Sequence, residues 1–264
     1  MRNIKKMAHS FDIIGDIAIV QIPKNEKSDE KKIAQDIMKK NHNVKTVYGR
    51  GKFKGRLRKQ DIKFILGEKK EETIYKENSC LIKLNVKTCY FSPRLGSDRK
   101  EIAEQIKKNE NVLVMFSGVA PYGVIISKYS KAKKICCVEL NREATKYAIE
   151  NIKLNKLQNC EAIQGDVKKI CPKFKKQKLF FDKIVMARPQ LKDPFLKEAF
   201  MIAKKGSIVY FYDFQYVDHI EESYQILEQE AKKAKRKYKI INLKKVREIG
   251  PRKYQLRFDL KVLN

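Results

Sequence analysis

An alternation of apolar runs and short turns between residues 111 and 166 constrains the fold of this chain more than any other feature. A first apolar run ends in a small-residue turn at 117–120. A second run ends in Glu139, and a third ends in a Gly-Asp pair at Asp166. This order is typical of a parallel α/β half-sheet that holds an adenosine-containing cofactor. The turn lets backbone N–H groups approach the ligand, and the acid accepts hydrogen bonds from the ribose hydroxyls.

The turn favours S-adenosylmethionine over a dinucleotide, because it lacks the G-x-G-x-x-G glycines that place a pyrophosphate on a helix N-terminus. We therefore predict that Phe116 and Gly118 line the cofactor site and that Glu139 binds the ribose. Asp166 is predicted to meet the adenine amino group. The alternatives are that Glu139 is a surface acid and that Asp166 only caps a helix, a role compatible with cofactor binding.

The α/β pattern continues to the end of the chain. The expected strands and helices after Asp166 are strands at 181–186 and 206–212, helices at 195–203 and 220–236, and closing strands at 238–245 and 254–262. Five alternating units followed by two strands predict a mostly parallel sheet with an antiparallel last strand. The predicted fold is α/β, a class I (Rossmann-like) S-adenosylmethionine-dependent methyltransferase domain.

The first part of the chain predicts a separate small α+β domain. Gly15-Asp16 between apolar pairs indicates a hairpin, 31–40 has helical spacing, and 51–59 is a basic loop with glycines. We place the domains at 1–86 and 87–264, and we expect the first to bind RNA and to complete the active site.

The charge of the chain points to a polyanionic partner. Sixty Lys and Arg residues against 31 Asp and Glu give a formal net charge of +29, far beyond what solubility requires. A Lys-rich proteome is the alternative, but such a bias usually raises Glu as well, and here the acids are fewer.

The six cysteines form no C-x-x-C pair, and the three histidines are far apart in sequence. We therefore expect reduced, mostly buried thiols in a cytoplasmic protein, with no metal site and no disulfide framework. The chain has no long apolar stretch and no signal sequence, so we expect neither membrane insertion nor secretion.

Several motifs resemble the archaeal and eukaryotic tRNA (guanine-37-N1)-methyltransferase family. They are Phe91–Leu95 (Phe-Ser-Pro-Arg-Leu), 115–122, 151–155, 165–167, the opening 10–18 and the ending 250–252 with the last strand. The first is the most specific of these, since generic methyltransferases lack it. The resemblance covers the chain from about residue 10 and implies methyl transfer from S-adenosylmethionine to N1 of guanosine 37 of tRNA, bound by its anticodon stem-loop.

The resemblance also implies roles for particular residues. Asp98 stands where the family has a Glu that removes the N1 proton, and it could instead cap its helix. Arg58 would stabilise charge at guanine O6, or be one phosphate contact among many. Arg94 and Arg99 match basic residues that the family has beside this acid. Arg94 would take part in catalysis, and Arg99 would bind the cofactor. Tyr90 would lie near the target guanine, and either it or Tyr122 would stack on that base.

The chain departs from the family pattern at several positions. Where the family has Asn-Leu-Pro after the fourth strand, this chain has Ala187-Arg188-Pro189. Pro189 would still border the cofactor, and Arg188 would bind the guanine edge in place of the Asn. Val114 replaces the usual acid of the first strand. An extra N-terminal domain of many members is expected to be absent, and the chain is expected to be a monomer.

Two other functions remain open. The first is that of a relative in wyosine biosynthesis, which would methylate the tricyclic derivative of the same guanosine, either as well as guanosine itself or in its place. A sister enzyme of that pathway would instead transfer the aminocarboxypropyl group of S-adenosylmethionine. Arg94-Leu95 argues against the aminocarboxypropyl transfer. The third hypothesis is an RNA-binding protein that has lost activity, which the changes at Val114 and Ala187 would fit.

Overall fold

The computed structural model describes residues 10–22, 29–55, 57, 59–187 and 192–264, with only the backbone at 53–54. The chain divides into two compact units, Met1–Pro93 and Arg94–Asn264. The division falls inside the Phe91–Leu95 motif, seven residues after the boundary that the sequence suggested.

The first unit is a small α+β unit. Its elements are β1 (Phe11–Ile14), β2 (Ile17–Val20), α1 (Glu30–Lys40), β3 (Thr46–Gly49), β4 (Phe53–Lys54), β5 (Lys59–Gln60), β6 (Lys63–Gly67), β7 (Glu72–Glu77) and β8 (Cys80–Asn85). The main sheet has the order β1-β2-β3-β6, and β4–β5 and β7–β8 form separate antiparallel pairs. The predicted hairpin is confirmed: Gly15 turns with φ +61°, and a Cβ there would lie 2.1 Å from Thr73 Oγ1, so glycine is required.

The second unit alternates strands and helices. Its elements are α2 (Gly96–Glu104), β9 (Asn111–Met115), α3 (Pro121–Tyr129), β10 (Lys134–Glu139), α4 (Arg142–Leu154), β11 (Cys160–Gln164), α5 (Val167–Lys176), β12 (Phe181–Met186), α6 (Leu196–Ile202), β13 (Ala203–Tyr216), α7 (Ile220–Lys233), β14 (Tyr238–Gly250) and β15 (Lys253–Val262). A short 3-10 turn at Pro93–Leu95 precedes α2.

The seven-stranded sheet has the order β11-β10-β9-β12-β13-β15-β14. The five strands β9 to β13 pair in parallel with one another, and β15 lies antiparallel between β13 and β14. The predicted class I methyltransferase build, with its antiparallel last strand, is confirmed. Insertion of β15 also explains why β13 is longer than predicted, since it pairs with β15 from Ile208 to Tyr216.

The apolar strands are buried because helices cover both faces of the sheet. Val112–Met115 and 135–138 are wholly inaccessible to solvent, as expected for central parallel strands. The strand order reverses direction between β9 and β12, and ligands of open α/β sheets bind at the carboxyl edge beside such a switch point. None of the helices in the described ranges is long and apolar enough to cross a membrane.

Candidate cofactor and active site

The turn that follows β9 has an unusual backbone. Phe116, Gly118 and Ala120 all have positive φ, at +59°, +56° and +62°. Positive φ at a non-glycine residue costs free energy and is retained where the surroundings impose it. Two backbone hydrogen bonds hold the turn: Ser117 N–H donates to Val138 O (3.0 Å), and Ala120 N–H donates to Ser117 O (2.9 Å).

A side chain from α4 also holds this turn. Asn151 is fully buried, and its Nδ2 donates to the backbone oxygen of Val119 at 3.0 Å. The sequence suggested only that 151–155 ends a helix. Segment 151–155 is one of the motifs that resemble the family. Its contact with Val119 joins residues 32 positions apart, so no local sequence pattern predicts it.

Glu139 lies at the carboxyl end of β10 and faces the turn. Its Oε2 accepts a hydrogen bond from Gly118 N–H (2.7 Å), and its Oε1 accepts one from Asn141 N–H (2.7 Å). Burial raises the pKa of the Glu139 carboxyl above its ordinary value, although backbone N–H groups oppose the shift. A carboxylate has about four acceptor positions, so these two bonds leave room for ribose hydroxyls to donate to it.

Asp166 follows β11 at the same edge of the sheet. Its Oδ1 accepts a hydrogen bond from Lys168 N–H at 3.0 Å, so Asp166 is the N-cap of α5. Gly165 N–H donates to Glu139 O at 2.8 Å, which ties the ends of β10 and β11 together. The structure thus brings Phe116, Gly118, Glu139 and Asp166 to one edge.

One polar atom at this edge fits an absent ligand. Ser117 Oγ is buried and has no hydrogen-bond partner among the described residues. An unpaired buried hydroxyl costs about 1–3 kcal/mol, and a polar ligand would remove that cost. Together with the acceptor capacity of Glu139, it fits a cofactor that carries ribose and amino-acid polar groups. Sequence reasoning missed Ser117, although it lies between two residues that were predicted.

Asp98 lies in the interior of the second unit, in the first turn of α2, and is 3% exposed. Its Oδ1 accepts a hydrogen bond from Arg257 Nη1 (2.6 Å), and its Oδ2 accepts from the hydroxyls of Tyr122 (2.7 Å) and Tyr212. Burial raises the pKa of both tyrosines well above the ordinary value, so both stay protonated and donate. Leu95 stands at the N-cap of α2, so Asp98 is not its cap.

Arg257 of β15 is the centre of this cluster and is completely buried. Besides Asp98 it pairs with Asp259 (Nε–Oδ1, 2.7 Å) and Glu101 (Nη2–Oε1, 2.6 Å). Burial alone would raise the pKa of Glu101, but hydrogen bonds from Lys244 and Arg257 hold it below the ordinary value. The cluster joins α2 to the last strand, and sequence reasoning missed Arg257.

The other predicted site residues lie in several places. Arg94 is exposed in the 3-10 turn, and Arg99 is buried, with its guanidinium 5.7 Å from the centre of the Tyr122 ring. Tyr122 is itself buried, and its hydroxyl is bound to Asp98. Tyr90 belongs to the first unit, where it is partly buried.

Three predicted residues, Arg58, Arg188 and Pro189, lie outside the described residues. Of the positions that depart from the family pattern, Val114 is fully buried within β9, and Ala187 directly follows β12 at the carboxyl edge. Within the described ranges, no group of three or more His, Cys, Asp or Glu side chains could hold a metal ion.

Comparison with known families matches both parts of the chain. Residues 73–241 match the TRM5/TYW2 methyltransferase domain, and residues 2–70 match the TYW2 N-terminal domain.

Similar whole proteins agree with these domain matches. The chain is 35% identical to tRNA (guanine(37)-N(1))-methyltransferase Trm5b of Pyrococcus abyssi, over 96% of this chain and 74% of that protein. It is 33% identical to tRNA (guanine(37)-N(1))/4-demethylwyosine(37)-methyltransferase Taw22 of Nanoarchaeum equitans, over 95% of this chain and 99% of that one. A solved complex of aTrm5 and tRNALeu superposes with a TM-score of 0.84 at 28% identity, covering 97% of this chain and 72% of that chain.

Proposed function

Because the chain belongs to the TRM5/TYW2 methyltransferase family, we propose that it transfers a methyl group from S-adenosylmethionine to N1 of guanosine 37 in tRNA. The observation that carries the proposal is the arrangement of Glu139, Asp166 and the Ser117-Gly118 turn at one sheet edge, in a chain 35% identical to a protein of that activity.

The cofactor site is proposed to work as follows. Glu139 accepts hydrogen bonds from the ribose hydroxyls, and its orientation is fixed by Gly118 and Asn141. Ser117 Oγ binds a polar group of the methionine part, and Asp166 lies by the adenine. When bound, S-adenosylmethionine supplies an electrophilic methyl group. Arg99, Phe116 and Pro189 complete the proposed cofactor site.

The reaction also needs an acceptor for the N1 proton, because N1 of neutral guanine carries one. We assign this role to Asp98. Its two oxygens accept three hydrogen bonds, which leaves one of about four acceptor positions. Burial beside Arg257 keeps the carboxylate in one orientation, and hydrogen bonds at a catalytic site often tighten or exchange only when substrate binds.

The tRNA is proposed to bind through the basic surface of the chain and to present guanosine 37 unstacked, since its N1 edge is otherwise hard to reach. Arg58, Arg94, Arg188 and Tyr90 are the residues proposed to bind or stabilise the base. The net charge of +29 supports binding of a polyanion whose affinity falls steeply with salt.

The test is methyl transfer from labelled S-adenosylmethionine to two matched tRNA transcripts, with guanosine or adenosine at position 37, followed by nucleoside analysis. We expect N1-methylguanosine in the first transcript only. Transfer to both transcripts, or a product other than N1-methylguanosine, would contradict the proposal.

A second substrate is supported by one comparison and one residue. Taw22, whose name includes 4-demethylwyosine, matches over 99% of its length. Ala187 replaces the amide that the family resemblance places beside guanine. We therefore propose the tricyclic derivative as a further substrate of the same site, to be tested with tRNA that carries 4-demethylwyosine at position 37.

A further inference from the structure

The surface of α5 differs from that of the other helices in the described residues. Its exposed positions carry five lysines and Pro172 with no acid, and Lys178 continues the series. The lysines are Lys168, Lys169, Lys173, Lys175, Lys176 and Lys178. The other long surface helices mix the two charges: α1 has Asp36, α4 has Glu150 and α7 has Glu228 among their lysines. Six of the 60 Lys and Arg residues of the chain therefore lie on or just after α5, with no acid among them.

Most of this charge is not neutralised within the protein. Lys168 pairs with Asp193 at 2.5 Å. The remaining five lysines have no carboxylate partner within ion-pair distance among the described residues. The four lysines of α5 in this set and Lys178 just beyond its end repel one another, and a bound polyanion would relieve that repulsion.

The chemistry of α5 restricts the partner to a polyanion. Its apolar residues Val167, Cys171 and Phe174 are buried in the core, so the helix has no free apolar face to enter a lipid surface. Lysines are flexible point charges that bind phosphates without reading sequence. The set fits a phosphate backbone.

The position of α5 indicates which phosphates it would meet. Asp166 starts the helix at the cofactor edge, and α5 then runs back along the sheet, so Lys175 and Lys176 lie about 12–15 Å from that edge. An RNA that reaches them must extend well past the target nucleotide. We propose that the lysine surface of α5 binds the backbone of an RNA stem adjoining the target loop. The inference rests on the proposed function, since it takes tRNA as the ligand.

The test compares two triple variants of the full-length protein. Lys169→Gln/Lys173→Gln/Lys176→Gln removes three charges from α5. Lys146→Gln/Lys153→Gln/Lys156→Gln removes three exposed charges at and just after α4, which right-handed crossovers place on the opposite face of the sheet. Binding of an unmodified tRNA transcript and of S-adenosylmethionine is measured for each, the tRNA over a range of salt concentrations.

We expect the α5 variant to bind tRNA at least about tenfold more weakly at about 0.1 M salt. The slope of log affinity against log salt concentration should be smaller by about 2, because each phosphate contact contributes about 0.7–0.9 to that slope. The control should change little, and cofactor affinity should not change in either variant. A single-stranded oligonucleotide with the loop sequence alone should bind both variants equally.

Equal losses of tRNA affinity in the two variants would overturn the proposal, because the effect would then be one of net charge. An equal loss with the loop oligonucleotide would overturn the assignment to a stem. The readout is independent of catalysis: if the wild-type chain binds tRNA but transfers no methyl group, the proposed reaction fails while the salt slopes still test the α5 contact.

Discussion

At the scale of single residues, the candidate site depends on a few side chains that fix the turn after β9 and the acid opposite it. Glu139 and Asn151 each make a hydrogen bond to the backbone of the 117–120 segment. Both contacts hold the backbone of the turn that borders the proposed cofactor site, so substitution of either residue should weaken cofactor binding.

Glu139→Gln should weaken S-adenosylmethionine binding about 10-fold or more, because a charge-assisted hydrogen bond becomes a neutral one. Isothermal titration measures this. Because burial raises the pKa of Glu139, the native state holds this proton more tightly than the unfolded chain, and this group favours folding less as pH rises through its folded pKa. Unchanged cofactor affinity of the variant would contradict the assignment of Glu139 to the ribose.

The cofactor affinity of the wild-type protein should also fall as pH is lowered through the raised pKa of Glu139. In the Glu139→Gln variant this position carries an amide that does not titrate, so the affinity should lose this pH dependence. Glu143→Gln, in the first turn of α4, is the matched control and should keep it.

Asn151→Leu should cost about 1–3 kcal/mol of unfolding free energy, because it leaves Val119 O buried without its donor. It should also weaken cofactor binding through the loosened turn. Urea unfolding and titration of the cofactor measure the two effects. Asn155→Leu, at the end of the same helix, is the control. If it lowered the unfolding free energy and the cofactor affinity as much as Asn151→Leu, the effects could not be assigned to the contact with Val119.

Asp98→Asn should lower methyl transfer at saturating substrates by about 100-fold or more if Asp98 is the base. Asp98→Glu, which restores the residue usual in the family, should keep measurable turnover. Because the Asn variant also weakens the pair with Arg257, activity is measured on protein shown to be folded and to bind cofactor. Wild-type turnover in the Asn variant would contradict the assignment.

At the scale of secondary-structure elements, the buried charge cluster joins α2 to β15. Arg257 is the cation that Asp98, Asp259 and Glu101 share, and Lys244 of β14 adds a second cation at Glu101. Removal of one member of a buried pair leaves an uncompensated charge, which is much more costly than loss of a surface pair.

Arg257→Gln should therefore destabilise the protein by about 3–5 kcal/mol, measured by chemical unfolding. Arg252→Gln, in the β14–β15 turn, breaks an exposed pair with Asp218 and should cost at most about 1 kcal/mol. Since the pKa of Glu101 is lowered, its contribution is present above the unfolded pKa and is lost as pH falls through the folded pKa. The difference in unfolding free energy between the wild-type protein and Arg257→Gln should therefore become smaller as pH is lowered.

At the scale of the whole molecule, the prediction of mostly buried thiols is confirmed: all six cysteines are buried. Burial raises the pKa of Cys171 to about 12 and that of Cys136 further, so the reactive thiolate is scarce at neutral pH. A thiol reagent should modify the native protein slowly and all six thiols once denaturant unfolds it. Fast modification of the native protein would contradict this burial.

The sequence by itself determined the class of fold and the edge of the sheet that forms the cofactor site. Buried parallel strands read as continuous apolar runs, and the turn, Glu139 and Asp166 each directly follow such a run. Since parallel strands present their carboxyl ends at one edge, residues at these ends converge wherever the sheet forms.

Only the tertiary structure decided which side chains hold those residues. Arg257 lies 159 residues after Asp98, and the two meet because β15 inserts beside β13. Tertiary packing also brings Asn151 to the Val119 carbonyl and leaves the hydroxyl of Ser117 buried without a hydrogen-bond partner among the described residues. Such contacts depend on the packing of elements that are distant in the chain, and neither periodicity nor a local motif contains that information.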